Sequence, residues 1–188
     1  MGGCDCCGLS QTLSGNGTCL PCEQDDGPLS RIRAGFGYGE VARSIAMRLK
    51  YGRKIALART MAAMMKRSLH GLDPEATLLP VPLHRWRLWR PGFNQSVLIT
   101  RALARPMDCD LLRRVRATPR LKRVQSLAAA QNGRAGVRPA PGCGGGRTNI
   151  HPRGRVITTG ATAEACAKVL RRAGARSVDL IAFARVLR

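Results

Sequence analysis

Apolar residues recur at helical spacing early in the chain. Val41, Ile45 and Leu49 fall four apart, and Ile55, Leu57, Met61, Met64 and Met65 continue a broad apolar face. Residues 36–70 therefore read as two helices, with Gly52 between them. The run Thr-Leu-Leu-Pro-Val-Pro-Leu over 77–83 reads as a short buried strand. Pro80 and Pro82 have no N–H for a ladder, so the strand must end there. Residues 95–104 read as a helix with Val97, Leu98 and Leu103 turned inward. Ala161 to Ala173 form another, with Ala165, Val169 and Leu170 on one face and Gly174 as the stop signal. Residues 177–186 are nearly continuous in apolar character, as suits a strand covered on both faces. A helix between strand-like segments is the signature of a βαβ unit, so the fold class is α/β.

Two stretches depart from this patterning. Residues 1–28 are turn-rich and hold five of the eight cysteines. Residues 119–155 contain eight Lys or Arg, no Asp or Glu, and a Gly/Pro-rich run from Pro139 to Gly146. Periodicity fades after Leu127, and such a composition predicts a flexible loop. The domain reading is a ribbon-like segment over 1–28, followed by an α/β domain over 29–188 that carries an irregular basic segment at 120–155.

Charge and targeting narrow the partners. With 32 Lys and Arg against 11 Asp and Glu, the formal net charge is +21. That balance suits polyanions, including single-stranded DNA, although it equally describes an Arg-decorated surface without a specific partner. No secretory h-region or apolar run of about 20 residues is visible, which predicts a cytoplasmic protein without a membrane span. In a reducing compartment, closely spaced cysteines point to metal rather than disulfides.

Cys4 and Cys7 form one C-x2-C pair and Cys19 and Cys22 a second, with eleven residues between them. Two such turns supply the four soft ligands of a tetrahedral zinc site, and four sulfurs leave no position open for water. The predicted metal is therefore structural. Gly8 is placed to let the chain turn back beneath it, and Cys6 is a spare thiol that competes with Cys7. Free thiols in an unstructured tail are the bland alternative. Cys109, Cys143 and Cys166 are isolated and read as incidental.

Thr158-Thr159-Gly160-Ala161-Thr162 lies between a strand-like segment and a helix start. Backbone N–H groups and hydroxyls there make an anion site, or merely an ordinary helix cap. Other segments add weight. They are the two cysteine pairs, Tyr38 before a helix ending Leu49-Lys50-Tyr51-Gly52, the turn Pro80-Val81-Pro82-Leu83, then Arg85, Arg87 and Gly92-Phe93-Asn94-Gln95-Ser96, and a last strand ending Ala184-Arg185-Val186. In this order they resemble the ComF family over roughly 1–119 and 156–188.

The resemblance implies a type I phosphoribosyltransferase-like parallel sheet with flanking helices, plus a small N-terminal zinc ribbon. It also implies a link to DNA uptake in natural competence. Thr158, Thr159, Gly160, Ala161 and Thr162 would hold the 5′-phosphate of phosphoribosyl pyrophosphate or another phosphorylated ligand. The turn at Val81 would face the pyrophosphate, with Lys50 and Arg85 as further polyanion contacts.

The chain departs from the family where catalysis is concerned. The family has two adjacent acidic residues just before the threonine loop. Here the stretch reads Arg153-Gly154-Arg155-Val156-Ile157, and no acidic residue lies between Asp110 and Glu164. Mg²⁺ on the pyrophosphate loses its oxygen ligands, which predicts impaired catalysis. Pro91 replaces an Arg of the family, and the strand before Thr158 is expected to be cut to about Arg155–Ile157. A good match on both sides of 120–155 is what a shifted reading frame or a decaying gene leaves behind, with a basic insert as the alternative. The rival functional reading is a non-catalytic nucleic-acid-binding accessory protein with a structural zinc site.

Overall fold

The structure is a computed structural model that describes residues 3–8, 12–24, 27–52, 54–83, 92–115, 136–139, 153–157 and 161–185; for 153–157 and 161–162 only the backbone is described. The elements run in the order α1 (Leu20–Glu23), β1 (Arg31–Gly37), α2 (Glu40–Tyr51), α3 (Leu57–Met65) and a 3-10 turn (Lys66–Leu69). After these come β2 (Leu78–Pro80), α4 (Gln95–Ala102), β3 (Leu112–Arg114), β4 (Val137–Pro139), β5 (Arg153–Ile157), α5 (Ala161–Arg172) and β6 (Ser177–Arg185).

The main sheet has four strands in the order β1-β6-β5-β2, and every pairing in it is parallel. Parallel neighbours require crossovers, and the helices supply them on both faces. Successive strand residues point to opposite faces, so Leu78 and Ile181 join one core cluster while Leu79 and Val178 join the other. The first cluster is made with α2, α3 and α4 through Leu49, Met61, Met65 and Ile99. The second is made with α5 through Ala165, Cys166 and Leu170, and with Leu112 and Val137 of the antiparallel pair β3–β4. The α/β class expected from the sequence stands, with a small parallel sheet.

Four details differ from the sequence reading. The strand β1 lies in a stretch for which no strand was expected, and its last two residues fall inside the segment read as helical. Its residues Arg-Ile-Arg-Ala-Gly-Phe-Gly do alternate, with Ile32, Ala34 and Phe36 two apart, a short period-2 signal that the helical reading passed over; as an edge strand it is only partly buried along most of its length. In α2, Leu49 is buried but Val41 is 73% exposed, and Ala42 is buried instead. An i, i+4, i+8 row drifts around the helix by about 40° per step, so its far member leaves the core face. In α4 the inward residues are Ile99 and Leu103 rather than Val97. Finally, the basic segment 120–155 contains β4 and the first part of β5, and β5 has five residues rather than the three expected.

Elsewhere the expectations hold. The strand 77–83 ends at Pro80 on the far edge of the sheet, where a missing N–H costs little. The last helix stops at Gly174, whose φ of +96° is the left-handed turn that glycine adopts freely.

Candidate metal centre and ligand edge

The first cluster of chemistry is built by two tight turns. In the first, the Gly8 N–H donates to the Cys4 carbonyl at 2.7 Å. In the second, Pro21 opens the short α1, and the Cys22 N–H donates to the Cys19 carbonyl at 2.8 Å. A hairpin joins the two turns through the bridge of Leu13 with Cys19 and the Ser14 N–H to Thr18 carbonyl bond of 2.7 Å. The result brings the sulfurs of Cys4, Cys7, Cys19 and Cys22 within 4.8 Å of one another.

This donor set fits a metal ion. The Cys7 and Cys19 sulfurs are 3.8 Å apart, about the S···S edge of a tetrahedron with metal–sulfur bonds of about 2.3 Å. The Cys7 and Cys19 N–H groups point at the Cys4 sulfur from 3.5 and 3.3 Å. Burial opposes ionisation of Cys4. The N–H groups of Cys7, Cys19 and Cys6, with the Cys19 side chain, outweigh it and bring the pKa down to about 6. Cys22 is pushed far up by burial and by the neighbouring thiols of Cys19, Cys7 and Cys6. A divalent cation would relieve that crowding by taking the place of protons. The four cysteines can therefore hold a metal ion, consistent with a structural zinc site. Cys6 packs beside the four but is not among the converging donors.

The cluster is docked on the sheet. The Ile32 N–H of edge strand β1 donates to the Cys6 carbonyl at 2.6 Å. Gly8 has φ +70°, and a Cβ there would sit 3.1 Å from the Ile32 carbonyl oxygen, so only glycine lets the turn lie this close. Arg185 at the end of β6 donates from its guanidinium to the Cys7 carbonyl. Arg171 of α5 holds the connecting segment, donating to the Pro28 carbonyl at 3.3 Å and to the Ser30 hydroxyl at 3.1 Å. The metal module thus covers part of an otherwise open sheet edge.

The second cluster lies at the carboxyl ends of the strands. In the register of β2 with β5, Pro80 pairs with Ile157. The chain leaves β2 at Val81 towards α4, on one face of the sheet, and leaves β5 towards α5, on the other. Adjacent strands whose exits diverge in this way form a switch point, where open α/β sheets bind ligands. Val81 is buried. Its carbonyl accepts the Asn94 side-chain amide at 2.9 Å, while the Asn94 Oδ1 accepts the Ser96 N–H at 3.0 Å and caps α4. The Gly-Phe-Asn-Gln-Ser stretch, quoted in the sequence only as a resemblance, thus has a physical task. Asn94 ties the loop after β2 to the start of the next helix.

The remaining sequence candidates divide as follows. Thr158, Thr159, Gly160 and Arg85 lie outside the described residues. Ala161 and Thr162 begin α5. Lys50 is exposed on α2, with its ammonium 5.4 Å from the ring centre of Tyr51. Of the isolated cysteines, Cys166 is fully buried and burial pushes its thiol up to about 12, whereas Cys109 is exposed. Cys143 lies outside the described residues. Sequence reasoning missed Arg171 and Arg185 as anchors, since each acts on a segment more than 140 residues away. Among the described residues, no helix is long and apolar enough to cross a membrane.

Comparison with known proteins extends this picture. No protein-family model matches the chain. The chain is 29% identical over 201 residues to the DNA utilization protein YhgH of Escherichia coli O157:H7, covering 98% of this chain and 84% of the relative. It is 29% identical over 182 residues to the protein of the same name in Salmonella typhimurium, covering 90% and 78%. It is 27% identical over 160 residues to Competence protein F of Haemophilus influenzae, covering 79% and 69%.

Proposed function

We propose, from the premise that this chain belongs to the ComF family as its homologues support, that it serves DNA utilization or uptake as a phosphate-ligand-binding module braced by a structural zinc ion, with phosphoribosyl transfer impaired. The observation that carries the ligand reading is the pairing of Pro80 with Ile157. It favours a single crevice shared by the Val81 turn and the segment Thr158–Thr162. Thr158, Thr159 and Thr162 would offer hydroxyls, Gly160 would permit close backbone approach, and the N-terminus of α5 favours an anion. Val81 lines the crevice and Asn94 fixes its wall. Arg85 follows the same turn in sequence and would offer a cation. The ligand that suits this set is phosphoribosyl pyrophosphate or another phosphorylated sugar.

Impaired transfer follows from charge. Strand β5 enters the threonine segment as Arg-Gly-Arg-Val-Ile, with no carboxylate to hold the ribose hydroxyls or to recruit Mg²⁺. Phosphate binding alone does not lower a barrier; stabilisation has to grow in the transition state. For zinc, Cys4, Cys7, Cys19 and Cys22 would be the four ligands, and its part is to hold the two turns together.

Calorimetry with phosphoribosyl pyrophosphate, ribose 5-phosphate and inorganic phosphate tests this reading. Binding is expected for each phosphate, weakened by Thr162→Ala, and little changed by Mg²⁺. An absence of binding at millimolar ligand would overturn the phosphate-site reading. Tight binding that requires Mg²⁺ would overturn the claim of impairment.

A further inference from the structure

Six of the nine large apolar side chains exposed among the described residues fall between Phe36 and Ile55, so one surface concentrates most of them. The outer face of α2 is its centre. Met47 and Tyr51 are four apart, Arg48 and Tyr51 three apart, and Arg43 and Met47 four apart, so they share one face of the helix. Tyr38 precedes the helix and is 49% exposed; Tyr51 ends it and is 52% exposed. These are both of the tyrosines in the chain. The Lys50 ammonium lies 5.4 Å from the Tyr51 ring centre. Between residues 36 and 59 the sequence holds six Lys or Arg and a single acidic residue, Glu40.

Exposed rings beside cations, with almost no acidic side chains among them, form the combination that holds unpaired bases and their phosphates. A purely apolar partner would leave Arg43, Arg48 and Lys50 desolvated without partners. Duplex DNA would satisfy the cations but offers no open base face to the rings. We infer that the outer face of α2, with Tyr38 and Tyr51, is a docking surface for single-stranded DNA. This rests on the proposed role in DNA utilization and assigns it a surface separate from the β2–β5 crevice. It also moves the polyanion role of Lys50 from the sugar-phosphate ligand to the DNA backbone.

The test uses the full metal-loaded chain and a labelled oligo-dT of about 16 nucleotides, read by fluorescence anisotropy across a salt series, with circular dichroism melts as the folding control. Tyr51→Ala and Tyr38→Ala should each weaken binding roughly five- to a hundredfold, with the salt slope unchanged, and Tyr51→Phe should restore it. The double variant Arg48→Ala/Lys50→Ala should lower the slope of log K against log salt by about 1.4. Wild-type binding that these variants leave intact would overturn the surface while leaving the DNA role standing. No binding by the wild type at low salt would overturn both. A wild-type dimer that Tyr51→Ala dissociates would assign the face to a second copy of the chain and overturn the inference.

Discussion

Asn94 serves two segments at once, and its two functions can be separated by substitution. Asn94→Asp keeps the oxygen that caps α4 and loses the amide that reaches the Val81 carbonyl; Asn94→Ala loses both. The alanine variant should lose about 1–2 kcal/mol in urea unfolding. The aspartate variant should lose less stability but weaken phosphate-ligand binding, because the loop after β2 is released. An aspartate variant that matches the wild type in ligand affinity and stability would show that the Val81 contact is idle. Arg185 supports a second residue-scale prediction. Its guanidinium links the last strand to the Cys7 turn. Replacement by Met keeps the aliphatic stem and removes that donor, at a cost of about 1 kcal/mol for a partly exposed bond. Metal release to a chelator, followed with a chromogenic indicator, should be several-fold faster than in the wild type.

At the scale of elements, the arrangement of β1 depends on what lies on each side of it. One side pairs with β6 over the register from Arg31–Asp179 to Gly37–Arg185. On the other, the Ile32 N–H finds the Cys6 carbonyl. An uncovered strand edge is a template for pairing with another chain. Metal removal should therefore speed hydrogen exchange at Ile32 far more than at Leu180, which faces it inside the sheet, and should promote self-association at raised protein concentration. Exchange at Ile32 that stays slow after chelation would mean that the turns keep their shape without metal. Helix α5 is the complementary case, since it packs by side chains alone. Leu170 is 1% exposed within the second core cluster. Leu170→Ala should cost about 2–5 kcal/mol, read as a lower urea midpoint, with the cysteine turns left intact.

Considered as a whole molecule, the ribbon-like segment is tied to the rest of the chain by contacts from three elements: Ile32 of β1, Arg171 of α5, which reaches the Pro28 carbonyl, and Arg185 of β6. We therefore expect the boundary near residue 28 to be one of sequence more than of stability. Chelation should lower the midpoint of a single thermal transition of the entire chain, because whatever binds only the folded form stabilises all that folds with it. Two separate calorimetric transitions, of which only the smaller responds to metal, would show instead that 1–28 melts on its own.

The parts legible in the sequence were those whose signal is local. The two C-x2-C pairs imply converging sulfurs because each turn closes within four residues. The helix from Ala161 with its Gly174 stop, the apolar strand 177–185 and the proline end of β2 are likewise settled by near neighbours in the chain. Tertiary structure decided the rest. The strand β1 carries only a short period-2 signal at Ile32, Ala34 and Phe36, and its place at the sheet edge is decided by its pairing with β6, almost 150 residues later. The pair β3–β4 joins segments across a stretch whose composition reads as loop. Val41 matched the helical period and still faces outward, since a period defines a stripe but only packing decides where the core meets it. The register of β2 with β5, which sets the candidate ligand edge, and the docking of the cysteine turns on Ile32 and Arg185 are contacts between distant segments. No local spacing encodes them, because parallel pairing and edge covering depend on which surfaces remain once the helices have buried their apolar faces.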